Sequence, residues 1–191
     1  MRVNRAKRAP LAWKLRNMLR MHFLVGLFYF KLAELFTWLT KIPTLKGRLR
    51  AVLHRANGER IDYGLISYRL VTDAFVEFMV DNLQVETAEW GDFKYHDSGV
   101  GVTGALVTDV DIETTDGVAR SVGTQVDGAS VWIYRSVGTI TYPGPLAITE
   151  HGLFSTLAGT TLMDRHTFAA INVVATDSIV FTYELTCTSG G

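Results

Sequence analysis

Hydrophobic residues change their spacing once along this chain, near residue 46, and the change separates two unlike parts. The segment Leu11–Ile42 is rich in Leu, Ala, Met, Phe, Trp and Lys, with no proline between Pro10 and Pro43. This predicts one helix, since proline is tolerated at a helix start and is common just past a helix end. At about 100° per residue, Arg16, Arg20, Lys31, Glu34 and Lys41 fall on one side. Phe23, Leu24, Leu27, Phe28, Phe30, Leu32, Leu35, Phe36 and Leu39 make a broad apolar surface around the rest. From Lys46 the period becomes two. Arg48–His54 alternates, Asn57-Gly58 predicts a two-residue hairpin because both positions tolerate positive φ, and Ile61–Leu70 returns as the partner strand. Thr72 or Asp73 can cap a helix over Asp73–Gln84, with Phe75, Phe78, Met79 and Leu83 as its buried stripe.

The remainder reads as strands separated by Gly, Asp and Pro: Asp92–Asp97, Val118–Val126, Ala129–Tyr142, Leu146–Ser155, Thr161–Phe168 and Ser178–Thr188, with a glycine-rich bend at Gly99–Thr103. Seven or eight strands at spacings of roughly ten residues point to a mainly β fold. The expected architecture is a β-sandwich or jelly roll with one short helix, preceded by an N-terminal helical arm. Residues 1–45 form the basic amphipathic arm and residues 46–191 the β domain. On that division, a chain lacking residues 1–45 is expected to fold and stay soluble.

Charge sharpens the division. Hydrophobic content of 48% with 20% charged residues is enough for a real core, and the formal net charge is zero. Yet residues 1–50 hold twelve Lys/Arg against the single acid Glu34, a balance of +11, while residues 51–191 hold seven against eighteen, a balance of −11. Such a split suggests an arm and a body facing different surroundings, or an arm meeting the acidic body of a neighbour. One cysteine, Cys187, excludes an internal disulfide, and its expected place is near the end of a strand. The leading segment lacks a small-residue cleavage site after its apolar stretch, so export by a signal peptide is not expected.

Candidate chemistry is sparse. His96-Asp97-Ser98 holds the letters of a triad, but neighbours on a strand point to opposite faces and cannot relay a proton. His151 and His166 lie near Glu150, Asp164 and Arg165 without metal-ligand spacing. Asp109, Asp111 and Glu113 put three carboxylates on one side of an extended segment, which reads as a solvated acidic edge, since the spacing of a calcium loop is absent. The run Gly99-Val100-Gly101-Val102-Thr103-Gly104 lacks the Lys-Ser/Thr ending of a phosphate-binding loop. No catalytic residue, cofactor or metal site is expected, and the chain is read as no enzyme. The cations at Arg2, Arg5, Lys7 and Arg8 could neutralise nucleic-acid phosphates without sequence reading, or meet protein or solvent. The apolar core Phe23–Leu39, about 17 residues with Lys31 and Glu34 near its middle, is short for a lone membrane span, though an interfacial role is conceivable.

The C-terminal half carries a resemblance. Ala147-Ile148-Thr149-Glu150-His151-Gly152-Leu153-Phe154-Ser155 leads into Gly159-Thr160-Thr161-Leu162-Met163-Asp164-Arg165, Phe168-Ala169-Ala170-Ile171-Asn172-Val173 and Asp177-Ser178-Ile179-Val180-Phe181-Thr182-Tyr183-Glu184-Leu185-Thr186. With Lys94-Tyr95-His96, Gly123-Thr124-Gln125 and Tyr134-Arg135, this resembles a family of tailed-bacteriophage virion structural proteins over about residues 46–191. This chain has Gly159-Thr160 where the family more often has Gly-Gly. The resemblance implies a structural component of the virion and brings no catalytic residues. The expectation is a capsid-associated decoration, cement or minor capsid protein. The alternatives are a tail, baseplate or fibre-attachment protein, or a phage-encoded membrane-anchored protein with an exposed β domain. Expected partners are other copies of the chain and neighbouring virion proteins, with non-specific nucleic acid reached through residues 1–8. The assembly arm is assigned to Arg2, Arg5, Lys7, Arg8, Phe23, Leu27, Phe30, Leu35 and Trp38. Glu150 and Arg165, on strands that a hairpin brings together, are expected to form a structural ion pair.

Overall fold

The computed structural model describes residues 6–40, 44–82, 93–159 and 161–188. In chain order the elements are β1 (Lys7–Arg8), α1 (Leu11–Leu19), α2 (Met21–Thr40), β2 (Thr44–His54), β3 (Arg60–Leu70), α3 (Asp73–Asn82), β4 (Tyr95–Gly99), β5 (Ser121–Val122), β6 (Thr124–Asp127), β7 (Ile133–Thr141), β8 (Leu146–Phe154), β9 (Leu162–Val173) and β10 (Ser178–Thr188). The fold is mainly β. A six-stranded sheet in the order β1-β3-β2-β10-β7-β6 faces a four-stranded sheet in the order β5-β4-β8-β9. Every pairing is antiparallel except β1 with β3.

The period-two reading explains the core. On β2, Leu49, Ala51 and Leu53 point inward; on β10, Ile179, Phe181, Tyr183 and Leu185 do the same, with Phe168 and Ile171 of β9 opposite. The β2–β3 hairpin does not take the expected two-residue form. Its loop is Ala56-Asn57-Gly58, closed by the Gly58 amide on the Arg55 carbonyl and the Arg55 amide on the Glu59 carbonyl. Of Asn57 and Gly58 only Gly58, φ 81°, is left-handed, while the Asn57 side chain accepts the Glu59 amide. Thr72 caps α3 by accepting the Phe75 amide, and Phe75 is buried under it. At the far end of that hairpin, the buried Asp177 binds Arg55 and the Ala56 amide, tying the β2–β3 turn to the β9–β10 turn.

The leader departs from its expected form in two ways. The helix is broken: Arg20 is extended, with ψ 130°, so that α1 and α2 are separate rods. At this break the Arg20 guanidinium reaches the Phe168 carbonyl of β9, and its amide returns to the Asn17 carbonyl. The leader is also packed into the sandwich. Ala9 and Trp13 belong to the same buried cluster as the strands, so residue 45 marks a change of secondary structure and not of packing. The part of the basic leader that is described is not a free tail either. Lys7–Arg8 pairs with Ile61 and Asp62 of β3, and Lys7 forms a 3.0 Å ion pair with Glu59. Arg2 and Arg5 lie outside the described residues.

Candidate functional site: the leader and the buried polar spine

A two-sheet sandwich leaves strand edges open unless something covers them. Here β9 is the edge of the small sheet, and among the described residues β3 is paired on its outer side only at Ile61 and Asp62. Helix α1 lies between these two edges. Asn17, 2% exposed, donates through Nδ2 to the Ile66 carbonyl at 2.8 Å and accepts the Ala169 amide on Oδ1 at 2.8 Å. One side chain thus hydrogen-bonds a strand of each sheet. Trp13 Nε1 donates to the Ala170 carbonyl at 2.8 Å while its ring stands edge-on to Tyr63, 4.5 Å between centroids. Helix α2 continues across β3, where Phe23 and Phe30 are buried against Tyr68. Gly26 sits so close to β3 that a Cβ there would meet the Tyr68 carbonyl oxygen at 2.4 Å.

The expected assembly residues therefore split. Phe23 and Phe30 face the chain's own body and are closed to any neighbour, a correction to their assignment. Leu27 is half-buried, Leu35 is exposed, and Lys7 and Arg8 are exposed on β1. Trp38 falls in α2, but its side chain lies outside the described residues. The outward face is nonetheless apolar. Leu11, Leu15, Met18 and Leu19 of α1, with Leu24, Val25, Phe28, Tyr29 and Leu32 of α2, are each at least 40% exposed. Monomeric proteins rarely leave a contiguous patch of that kind to water. Among the described residues, no helix is long and apolar enough to cross a membrane.

The second constellation lies between the sheets. His96 of β4, His151 of β8 and His166 of β9 are all inward and fully buried. His96 Nε2 meets Ser136 Oγ of β7 at 2.8 Å, across the sandwich, and His96 Nδ1 meets His151 Nε2 at 2.9 Å. His151 stands opposite His166 in the ladder, His166 Nε2 is 3.1 Å from Asp164 Oδ2, and Tyr183 OH donates to that same oxygen at 3.3 Å. Backbone glycines make the room. A Cβ on Gly138 would lie 2.3 Å from His96 Cδ2, and one on Gly47 would lie 2.1 Å from Asp164 Oδ2. Asp97, one residue from His96, points the other way to Arg120 at 2.9 Å, as strand alternation requires. Ser98 binds Asp116 and Tyr142, so the three adjacent residues serve three separate contacts.

Burial decides the charge state of this spine. It lowers His96 from its ordinary 6.5 to about 3, and it holds His151 well below the usual imidazole range, with His96 and His166 adding to the effect. Between pH 6.5 and 3 the unfolded chain therefore binds a proton at His96 that the folded chain does not. Stability falls as pH drops below 6.5, by about 1.4 kcal/mol per pH unit for His96. By pH 4.5 the loss is roughly 2 to 3 kcal/mol from His96 alone. His151 acts in the same sense. Asp97 and Asp116, both raised by burial, act in the opposite one. Urea unfolding at pH 7 and pH 4.5 should show this loss, with a shallower pH slope in His96→Gln; equal slopes would remove His96 as the cause.

The third constellation sits on the outer face of the small sheet. Glu150, fully buried, accepts Arg165 Nε at 2.8 Å together with the amides of Gly101, Glu113 and Thr114 at 2.8–2.9 Å. Arg165 completes its fork on Asp109 at 3.0 Å and Glu113 at 3.2 Å. Arg120 takes Asp111 at 3.3 Å and stacks 3.4 Å over the Phe154 ring. The expected solvated acidic edge is thus corrected in part: Asp109 and Glu113 pair with Arg165 of β9 and Asp111 with Arg120 nine residues on, while Asp111 and Glu113 stay exposed to water. Gly101 is required there because its Cβ would meet Glu150 Oε1 at 2.4 Å.

Chemically, these groups hold the chain to itself. Among the described residues no three His, Cys, Asp or Glu side chains converge as a metal site. Cys187 is exposed near the end of β10, with its amide on the Trp132 carbonyl. In comparisons with known proteins, no family model, no curated protein and no solved structure matches this chain.

Proposed function

We propose that this chain is a structural building block of a bacteriophage particle, working by assembly and not by catalysis. The observation that carries the assembly reading is the outward face of α1 and α2, where large apolar side chains stand in water although the opposite face of the same helices is fully engaged. The polar clusters support the same reading, because most of their donors and acceptors are taken up by backbone and side chains of the chain itself, His151 Nδ1 and His166 Nδ1 being buried without a hydrogen-bond partner among the described residues. The phage setting rests on the resemblance of residues 46–191 described above. A capsid-associated place, as decoration, cement or minor capsid protein, is the leading form of this proposal, and a tail or baseplate place is the alternative.

A membrane-anchored role is less favoured by the geometry. The inward residues Phe23, Gly26 and Phe30 of α2 are packed on β3, so the helix would have to leave its own sandwich to span a bilayer. Mass spectrometry of purified particles, separated into heads and tails, tests the proposal. The protein is expected in the head fraction at structural copy number. Recovery in tails selects the alternative, and absence from particles overturns the reading.

A further inference from the structure

We propose that the three-helix face of this protein pairs with the same face of a second copy about a two-fold axis. This rests on the assembly reading and names its partner.

The face changes character from end to end. Helix α1 carries Lys14 and Arg16 with no acid, beside an exposed Leu11, Leu15, Met18 and Leu19. Helix α3 is its opposite. Asp73, Glu77 and Asp81 recur at helical spacing on its exposed side next to Val76, with no base in the helix. Both helices dock along β9, α1 at Phe168–Ala170 and the Thr72 cap of α3 at Leu162 and Met163. Six strand residues put the two ends roughly 20 Å apart. Between them runs the apolar outer side of α2. Val25 and Tyr29 share a groove with Leu106 and Val107, mostly apolar with Arg69, Asp164 and Arg165 also lining it, and the Val107 carbonyl accepts the Asp73 amide. Basic end, apolar middle and acidic end therefore form one continuous surface.

The occupant must be acidic where α1 lies, apolar in the middle and basic where α3 lies. An anionic lipid surface or a nucleic acid suits the first end and is repelled by the carboxylates of the last. A second copy turned by 180° meets every condition, because a bipolar face is self-complementary under a two-fold rotation.

Sedimentation velocity of the full chain tests it. The native protein should sediment with the mass of two copies at micromolar concentration. Lys14→Glu with Arg16→Glu should weaken the dimer at least tenfold, and so should Glu77→Lys with Asp81→Lys. An equimolar mixture of the two variants should recover native affinity, since each end again meets its opposite. These positions are exposed or half-exposed, and native melting temperatures will show that the variants fold. A monomer at all concentrations, a ladder of species beyond two, or a mixture no tighter than either variant would each overturn the pairing. A monomer that is still found in particles removes only this pairing, whereas a dimer absent from particles removes only the phage setting.

Discussion

A chain that begins at Thr44 is expected not to yield a folded, monomeric sandwich. Removing the leader uncovers the β3 edge at Ile66 and the β9 edge at Phe168–Ala170, and it takes Trp13 and Ala9 out of the shared core. Exposed edges pair with other chains, so the truncated protein should aggregate or remain unfolded. Point variants give the scale. Asn17→Ala leaves one carbonyl and one amide buried without partners, at about 1–3 kcal/mol each. Trp13→Ala should cost about 3–5 kcal/mol. Against a typical domain stability of about 5–15 kcal/mol, either is a large fraction and the double variant should be close to unfolded. Urea denaturation and gel filtration measure both effects. A soluble monomer from residues 44–191 that unfolds as cooperatively as the full chain would show that the leader is not part of the core.

Glu150→Ala should be the most damaging single change away from the leader. It orphans three amides and leaves Arg165, 3% exposed, with an incomplete set of partners. Removing one member of a buried pair typically costs about 3–5 kcal/mol. The loss should also be local. The segment from Gly101 to Thr114 is fastened to the sheet through this carboxylate, so limited proteolysis should cut there first. Glu150→Gln should rescue little, because its NH₂ group would confront the amide donors that the lost oxygen accepts. Stability within 1 kcal/mol of native in Glu150→Ala would refute this role.

These two effects were visible in the sequence to very different degrees. Local signals were strong: Asn57-Gly58 located the hairpin though not its loop length, Thr72 or Asp73 marked the start of α3, and Ser178–Thr188 an entire strand. The Glu150–Arg165 pair was also legible, because a hairpin between their strands confines the partner search to one ladder. The rest depended on contacts between distant segments. Asp109 and Glu113 looked solvated because Arg165 is more than fifty residues away in sequence. The three histidines come from separate strands, and the trace of burial in the sequence is confined to His96, for which Gly123 and Gly138 make room. The leader was misread for a physical reason. Apolar residues around most of a helix show that more than one side is covered or sticky, but not which side its own sheets occupy. Nor does any Pro or Gly mark the break at Arg20. Its extended backbone is accompanied by a hydrogen bond to β9, a contact no local pattern encodes.

The same helices close their own sandwich with one face and offer the other to a neighbour. Amide hydrogen exchange at Ala169 in the full-length protein interrogates this most directly, because that amide donates to Asn17 Oδ1 on the edge strand of the small sheet. It should exchange only as slowly as global unfolding allows, and Asn17→Ala should release it selectively. Exchange as rapid as at a surface loop in the native chain would mean that the leader stands away from the body, contradicting the account.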